Sequence, residues 1–386
     1  MTSDKKKIIV IGPAYPYRGG NALFVSHVYD ALKEDFEVKI FNYSLLYPAI
    51  LFPGKTQYDE STTLIKKAPN ERLVNSISPF SWLKVAFRII KENPDLVVFD
   101  WWHPFFAPCH FTISGLIKKK LRKKILFITE NFVSHEGNFI DKRLTDIGLK
   151  NASAFLVLSQ IVENEVNQIS SGRKVYKSEL PIYDCYDSKD KTTLLSSKKD
   201  LGFTEKDNVL LFFGYVRKYK GLDLLIEAFP AIKSFLPNAK LLIVGEFYDS
   251  PNVYIDQIKK LGIDKDTVVV NKFVPNEDVG KYYNASDLVV LPYRSATQSG
   301  ILNVAYGFSK PVLVTNVGGL SEFVENNKTG IIIKPNSPQE IADGVKEYFK
   351  LKESVDFEKN IKDFVNKNNF GKLPQLFNQI ISDTQI

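Results

Sequence analysis

Residues 287–319 read Asp287-Leu-Val-Val-Leu-Pro-Tyr-Arg-Ser-Ala-Thr-Gln-Ser-Gly-Ile-Leu-Asn-Val-Ala-Tyr-Gly-Phe-Ser-Lys-Pro-Val-Leu-Val-Thr-Asn-Val-Gly-Gly319. Two short apolar runs, residues 288–291 and 312–315, flank a segment that becomes helical near Ser299 and Gly300. Two parallel strands need a long crossover connection, usually a helix. The stretch therefore predicts a βαβ unit in a parallel sheet, which ends in a Gly-Gly turn.

The loop between the first strand and the helix is small and polar and ends in Gln298, Ser299 and Gly300. Parallel α/β proteins bind ligands at the carboxyl ends of their strands, and N–H groups at a helix N-terminus favour phosphate. An ordinary surface loop with a serine N-cap explains the same residues. A basic loop elsewhere in the chain favours the anion site.

That basic loop is Gly214-Tyr-Val-Arg-Lys-Tyr-Lys-Gly221, which precedes a helix predicted over residues 222–235. A guanidinium binds two oxygens at once and an ammonium adds a point charge, so the cluster suits a diphosphate. We expect Arg217 and Lys220 to hold the anion as exposed charges with little effect on folding. Lys218 should point away from it.

Composition limits the class of protein. A chain of 386 residues predicts two domains, and a net charge of +7 suits an anionic ligand or an anionic membrane surface. Two cysteines and four scattered histidines give neither a disulfide framework nor metal-ligand spacing. We therefore expect a cytoplasmic protein without a metal, without a signal peptide or transmembrane span, and without a nucleic-acid partner.

The first half of the chain alternates strands and helices, which predicts a doubly wound α/β domain. Its predicted strands are residues 8–12, 38–41, 96–99, 125–129, 155–159 and about 175–180. Gly19 and Gly20 begin the first helix and permit a close backbone approach by a ligand, although a flexible turn explains them equally well. The three-glycine dinucleotide pattern is missing there, so a nicotinamide cofactor is not predicted.

Polar and aromatic residues follow two of these strands, at residues 100–108 and 130–136. Carboxyl ends of strands open onto a crevice, so Trp102, Glu130 and Glu136 are candidates for substrate contact. His135 stands beside Glu136 and could act as an acid or base, with a hydrogen-bonded structural histidine as the alternative.

Residues 118–124 contain six basic residues in seven. A solvated helix end is the ordinary interpretation. The alternative is a membrane surface in which this run and the aromatic residues Trp101, Trp102, Phe105 and Phe106 bind anionic lipid.

The alternation of strands and helices stops at residues 182–200. This interruption predicts a linker between domains at residues 1–183 and 200–355. The second half then restarts the alternation, with predicted strands at residues 209–213, 241–244, 268–270, 288–291, 312–314 and 331–333. Two doubly wound halves predict a cleft between them.

The chain resembles the family-four nucleotide-sugar glycosyltransferases of the GT-B fold. The resemblance rests on Gly214-x2-Arg217-x2-Lys220-Gly221, the loop at residues 292–300, the string at residues 310–319 and Asn131-x3-His135-Glu136. Most members carry two glutamates eight positions apart, where this chain has Ala296 and Val304. It is similar to a subgroup with an Ala-Thr-Gln-Ser-Gly loop instead.

The resemblance implies two Rossmann-like domains facing a central cleft, with residues 357–386 packing back on the first. It implies catalytic roles for Arg217, Lys220 and His135 and an acceptor side with Glu130, Glu136 and Trp102. The residues that it implies for donor binding are Gly19, Gly20, Gly214, Phe273, Val274, Gln298, Ser299 and Gly300.

The implied reaction is a retaining transfer of a hexosyl or N-acetylhexosaminyl group from a UDP- or GDP-linked sugar to a hydroxyl. The acceptor would be a saccharide or a lipid-linked molecule, in polysaccharide or glycolipid synthesis at the inner face of the membrane. No cofactor or metal is implied. A nucleotide-sugar epimerase of the same fold, or a non-catalytic protein that binds sugar nucleotides, remains an alternative.

Overall fold

The computed structural model describes residues 5–52, 54–62, 66–121, 123–132, 139–178, 183, 194–368 and 370–385. The predicted His135 and Glu136 lie outside these residues, as does most of the predicted linker. The chain folds into two compact units. Unit 1 is Met1–Asp59, Lys66–Pro181 and Asn369–Ile386, and unit 2 is Glu60–Ile65 and Ile182–Asn368.

Unit 1 contains a seven-stranded sheet in the order β3-β2-β1-β4-β5-β6-β7, with every pairing parallel. Its strands are β1 Lys7–Ile11, β2 Glu37–Leu45, β3 Asn70–Asn75, β4 Leu96–Trp101, β5 Ile125–Thr129, β6 Ala154–Val157 and β7 Lys174–Lys177. Its helices are α1 Gly20–Leu32, α2 Pro79–Glu92, α3 Ala107–Lys118, α4 Phe139–Gly148, α5 Gln160–Ile169 and the C-terminal helix Leu373–Gln385. The doubly wound domain predicted for the first half is confirmed.

The sheet of unit 1 is covered on both faces, because its central strands are apolar on both sides. Buried residues of α2, α3 and α5 share a core with one face of the sheet. Buried residues of α1 and the C-terminal helix share a core with the other face. The carboxyl ends of the strands stay at one edge, where the loops carry the candidate residues.

The C-terminal return is shorter than predicted. The helix Leu373–Gln385 packs on α1 and buries Phe377 and Ile381 in unit 1. The preceding helix, Phe357–Lys367, belongs to unit 2, where Phe357 joins the core. The prediction that residues 357–386 all return to the first domain is therefore wrong for residues 357–368, whose apolar face packs within unit 2.

Unit 2 contains a six-stranded parallel sheet in the order β10-β9-β8-β11-β12-β13. Its strands are β8 Asn208–Phe213, β9 Ala239–Val244, β10 Thr267–Val270, β11 Leu288–Leu291, β12 Val312–Thr315 and β13 Gly330–Ile333. Its helices are α6 Leu194–Asp200, α7 Leu222–Phe235, α8 Pro251–Lys260, α9 Asn276–Ala285, α10 Gly300–Gly307, α11 Pro338–Leu351 and α12 Phe357–Lys367. The terminal helix of unit 1 is then α13. The βαβ unit predicted over residues 287–319 is confirmed as β11, α10 and β12.

Candidate functional site

Glycines hold the loops at the carboxyl edge of the sheet in unit 2 against one another. Gly214 follows β8 with φ 102°, and Gly245 follows β9 with φ 146°, a conformation that favours glycine. A Cβ atom on Gly245 would lie 2.0 Å from the carbonyl oxygen of Gly214. Residues with side chains are therefore excluded at this contact, and the loop after β8 is fixed in position.

Lys220 of that loop is buried, with 7% of its surface exposed. A Cβ atom on Gly214 would lie 3.3 Å from Lys220 Nζ and 3.0 Å from Cδ1 of Ile301, in the first turn of α10. Burial, with a smaller contribution from Arg217, lowers the pKa of the Lys220 ammonium to about 7. The lysine thus lies beside the N-terminus of α10.

Arg217 and Lys218 differ in environment. The Arg217 guanidinium is half-buried and lies 5.0 Å from the ring centre of Tyr248. Lys218 is exposed, as the sequence predicts for a residue facing away from the anion. Among the residues that the structure describes, neither Arg217 nor Lys220 forms an ion pair. The prediction that both are exposed is wrong for Lys220, because the loop folds it beneath the start of α10.

The N-terminus of α10 has the small residues that the sequence predicts. Ser299 occupies the N-cap position without a side-chain capping bond, and its hydroxyl lies 3.4 Å from the Tyr293 hydroxyl. Gly300 is covered by Tyr183, since a Cβ atom there would lie 3.1 Å from the tyrosine ring. A helix begins with N–H groups that have no partner inside the helix. An anion beside Lys220 would meet these donors.

Sequence reasoning missed the ion pair that ties the two loops together. Arg294, just after β11, donates from both terminal nitrogens to Asp223 in α7 at 2.7 Å. The same guanidinium donates to the carbonyl oxygen of Lys218 at 2.8 Å. Arg294 and Asp223 are 71 residues apart, so no local sequence pattern connects them.

The turn after β12 is in close contact with the polar loop that precedes α10. Gly318 has φ 51°, and a Cβ atom on it would lie 1.6 Å from the carbonyl oxygen of Ala296. Gly319 N donates to the same oxygen at 3.3 Å. Ala296 and Val304 are each 5% exposed, so apolar packing occupies the positions where the resembled family has glutamates.

Other residues lie at the same edge of unit 2. Phe273 and Val274 follow β10, with Phe273 half-buried and Val274 buried. Glu246 follows β9, is 5% exposed, and accepts a bond from Val216 N through its backbone oxygen at 2.9 Å. Sequence reasoning missed Glu246, although an acidic residue directly after an apolar strand was a usable signal.

Unit 1 brings three of its predicted residues to its own carboxyl edge. Gly19, with φ 103°, precedes α1, and a side chain on Gly20 would meet no atom within 4 Å. The next residue, Asn21, donates from its side chain to Glu130 Oε1 at 2.9 Å. The glycine turn and the buried Glu130 therefore lie side by side.

Asp100, at the carboxyl end of β4, is a second buried acid near Glu130. It is fully buried, and its carboxylate oxygens have no hydrogen-bond partner among the described residues. Burial first, and then the Glu130 charge, raises the pKa of Asp100 well above its usual value. Protonation of Asp100 removes the repulsion between the two carboxylates.

The aromatic half of the predicted membrane surface is wrong, because three of its four residues are buried and Phe105 is half-buried against the same core. Trp101 and Phe106 are at most 1% exposed and Trp102 is 9% exposed, because they pack in the core beneath α3. The Trp102 ring nitrogen donates to the Tyr47 hydroxyl at 3.1 Å. Trp102 therefore contributes to packing, and a role in binding the acceptor stays a prediction.

The described residues contain neither a cluster of metal ligands nor a membrane-spanning helix. They contain no group of three or more His, Cys, Asp or Glu side chains placed to hold a metal ion. No helix among them is long and apolar enough to cross a membrane.

This chain is similar to known proteins, over part or most of its length. Residues 196–364 match the family model described as glycosyl transferases group 1. An uncharacterized glycosyltransferase of Methanocaldococcus jannaschii is 32% identical over 39% of this chain and 38% of its own length. A second one from that organism is 24% identical over 88% of both chains. The chain thus spans less than two fifths of the first of these relatives.

A solved structure of HepE from Anabaena, in complex with UDP-glucose, superposes with a TM-score of 0.75 at 17% identity, over 98% of this chain and 99% of the other. Similarity at this identity shows the fold alone. The predicted fold class, two Rossmann-like domains of the GT-B type, is confirmed.

Proposed function

We propose that the protein transfers a sugar from a nucleoside diphosphate sugar to a hydroxyl acceptor, because residues 196–364 match the family model of glycosyl transferases group 1. In this proposal the carboxyl edge of unit 2 holds the donor. Arg217 and Lys220 bind its diphosphate together with the first turn of α10. Gly214, Gln298, Ser299 and Gly300 allow the phosphates to approach the backbone.

The observation that supports this proposal most strongly is the buried, unpaired Lys220. A buried ammonium without a carboxylate partner costs several kcal/mol, so an anionic ligand is the simplest reason to keep one. Nothing in the described part of unit 2 neutralises it. The half-buried Arg217 adds a second cation on the same loop.

The same cations would lower the barrier to transfer. Negative charge grows on the diphosphate as the bond to the sugar breaks, and fixed donors stabilise that charge by several kcal/mol. Among the described residues of unit 2, we assign no side chain as a nucleophile. For the retaining transfer that the resemblance implies, we therefore propose a front-face reaction rather than a double displacement, in which the departing phosphate helps to accept the proton of the acceptor hydroxyl.

The donor and the acceptor are proposed by class. The HepE structure in complex with UDP-glucose favours a UDP-linked hexose, and a GDP-linked or N-acetylhexosaminyl donor is the alternative. We propose a saccharide or a lipid-linked acceptor, bound by unit 1 near Glu130, His135 and Glu136, in polysaccharide or glycolipid synthesis. No metal or cofactor is part of the proposal.

The first test removes the two cations. Arg217→Ala and Lys220→Met should each lower UDP affinity and turnover by at least about tenfold, because a charge-assisted contact contributes roughly 1.5–3 kcal/mol. Lys218→Ala is the matched control and should change little. Calorimetry with UDP, followed by transfer assays with a panel of nucleotide sugars, measures both effects.

The stability of the same variants provides an independent test of the role of Lys220. Charged Lys220 opposes folding at neutral pH because its pKa is lowered, so Lys220→Met should raise the free energy of unfolding by on the order of 2–4 kcal/mol. Weaker binding together with higher stability is expected for a ligand-binding lysine. Unchanged UDP affinity in both variants would contradict the proposal.

A protein that binds the nucleotide sugar without transferring it is the second candidate. It is favoured by one observation, the buried Ala296 and Val304 at the positions where the resembled family has glutamates. Tight UDP binding, without transfer or hydrolysis of any nucleotide sugar in the panel, would support this candidate. Measurable transfer that falls in Arg217→Ala would exclude it.

A further inference from the structure

Helix α2 of unit 1 exposes a row of large apolar side chains. Its inner side packs Trp82, Val85, Ala86 and Ile89 into the core. On the opposite side Phe80 is 78% exposed, Leu83 40% and Phe87 70%. Each of the phenylalanines leaves most of a large apolar ring in water, which is unusual for two residues on one helix.

The exposed residues form one continuous stripe. Phe80, Leu83 and Phe87 follow i, i+3, i+7 spacing, which places them on the same side of an α-helix. Ile77 precedes the helix by two residues and is 52% exposed. We call these four residues the α2 stripe. An ordinary solvated helix has polar side chains at such positions.

Basic residues border the stripe. Lys84 and Lys91 are exposed, and no ion pair holds either of them within the described chain. At about 100° per residue both lie within roughly 40° of Phe80 around the helix axis. Arg88, also exposed, pairs with Glu71 and Glu92 at 3.6 and 3.1 Å.

A cavity opens between the basic border and the sheet edge. Its volume is about 470 Å³. Phe80 of the stripe, Lys84 and Arg88 line it, together with the hydroxyl-bearing Ser78 and Ser81. The Ser81 hydroxyl already donates to the Leu73 carbonyl oxygen at 2.9 Å, so the cations and the Ser78 hydroxyl are the groups offered to a ligand. Together with the adjoining apolar surface, they suit a phosphate group attached to a hydrocarbon chain.

The neighbouring helix adds positive charge on the same side of the sheet. Helix α3 packs against α2, and both contribute to one core. It ends at Lys118, and Lys118, Lys119 and Lys120 are all exposed. The layer that carries the α2 stripe is therefore basic beyond α2 itself.

We propose that the α2 stripe and its basic border bind an anionic phospholipid surface, with α2 lying in the headgroup region. Aromatic and aliphatic side chains on one face, with lysines beside them, are typical of interfacial helices. A second copy of the chain fits less well, because a symmetric pairing would bring the lysine borders of both copies together. The inference uses no residue of the donor site and stands without the proposed transfer.

The experiment uses the full chain and sedimentation with vesicles of phosphatidylcholine alone, or of phosphatidylcholine and phosphatidylglycerol in equal parts. We expect binding to the anionic vesicles that weakens as salt rises. The double variant Phe80→Ser/Phe87→Ser should lower the partition coefficient at least about tenfold. Lys84→Gln/Lys91→Gln should lower it roughly tenfold.

The matched control lies on α8 of unit 2, where Val253 is 64% exposed and Lys260 is exposed. Val253→Ser/Lys260→Gln should bind vesicles like the unsubstituted protein. Thermal unfolding and UDP calorimetry should be unchanged in the α2 variants, which separates this inference from the function proposed above.

Three outcomes would overturn the inference. The first is equal recovery with neutral and anionic vesicles. The second is unchanged vesicle binding in the variant Phe80→Ser/Phe87→Ser. This outcome includes the case in which vesicle binding is lost only in Lys118→Gln/Lys119→Gln/Lys120→Gln, which would assign it to the end of α3. The third is a dimer in lipid-free sedimentation that becomes a monomer in the phenylalanine variant, which would assign the stripe to a second copy.

Discussion

At the residue scale, Lys220 predicts how donor affinity depends on pH. Its pKa is lowered to about 7 in the free protein, and a bound diphosphate stabilises the charged form. Above neutral pH Lys220 is mostly uncharged in the free protein, so binding of the diphosphate must be accompanied by the uptake of one proton by Lys220. We expect the affinity for UDP-glucose to fall with rising pH above about 7, by up to about tenfold per pH unit.

A guanidinium at the same position provides the control, because it stays charged throughout this range. Lys220→Arg should bind UDP-glucose with an affinity that is nearly constant between about pH 6 and pH 9. UDP-glucose suits the calorimetric titration, because its diphosphate has no ionisation near neutral pH. A flat profile for the unsubstituted protein would show that Lys220 does not face the diphosphate.

Asp100 predicts a second pH effect, on stability. Its pKa is raised in the folded protein, so the stability that it contributes is present below its unfolded pKa and is lost as pH rises. Asn at this position does not titrate. Relative to the unsubstituted protein, Asp100→Asn should gain stability with rising pH, by up to about 1.4 kcal/mol per pH unit.

Tryptophan fluorescence measures this effect cleanly. The three tryptophans, Trp82, Trp101 and Trp102, are all in unit 1, so the signal reports that unit alone during urea unfolding. The exposed Asp35→Asn, in the same unit, is the control and should show no such trend. Parallel pH profiles for Asp100→Asn and the unsubstituted protein would mean that Asp100 is ionised in the folded state.

Site residues differ in how far the sequence could predict them. The basic loop at residues 214–221 was predictable, because its cations stand between two glycines before a helix. The burial of Lys220 was not, since it depends on Ile301, which lies far along the chain. The Arg294–Asp223 pair was missed for the same reason.

At the element scale, backbone contact predicts the cost of a side chain at Gly318. Gly318→Ala places a methyl group against the carbonyl oxygen of Ala296, in a left-handed conformation that costs about 1–2 kcal/mol by itself. The polar loop before α10 must shift to relieve the contact. We expect a loss of stability well beyond that conformational cost, together with at least about tenfold weaker UDP binding, because misplaced donors lose their contacts.

Gly262 is the matched control for Gly318. It is also in unit 2 with φ 66°, and a Cβ atom there would meet nothing within 4 Å. Gly262→Ala should therefore show the conformational cost alone and leave UDP binding intact. Calorimetric unfolding and UDP titration compare the two variants, and equal losses would contradict the role of the contact with Ala296.

Strand prediction succeeded where burial is continuous. β5 and β11 were predicted at their observed bounds and β12 to within one residue, because every residue in them is buried and apolar or nearly so. β3 was missed: its sequence Asn-Glu-Arg-Leu-Val-Asn is mostly polar, and it pairs only with β2 at the sheet edge. Its existence depends on a partner strand rather than on its own pattern.

At the scale of the whole molecule, unit 1 is not continuous in the chain. Unit 1 takes its last helix, α13, from the C-terminus, after the chain has passed through all of unit 2. The two periodic halves of the sequence predict two domains but do not show which one the last helices join. The core contacts of α13 decide it, because they replace water over α1 and the sheet.

The final prediction follows from this chain order. A fragment of residues 1–181 lacks α13, so the apolar surface that contacts Leu373, Phe377, Ile380 and Ile381 is exposed. Removing a buried phenylalanine alone costs about 3–5 kcal/mol, and total stability is typically about 5–15 kcal/mol. We expect the fragment to bind a hydrophobic dye and to unfold without a sharp fluorescence transition.

Adding α13 back should reverse this behaviour. A synthetic peptide of residues 369–386 should restore the fluorescence transition of the fragment, because it re-covers the same face of the sheet. The control is the same peptide with Phe377→Ser and Ile381→Ser, which has the same length and the same exposed side chains but lacks two fully buried ones. It should not restore folding. A fragment that unfolds cooperatively without either peptide would show that α13 is an accessory to unit 1 rather than part of its core.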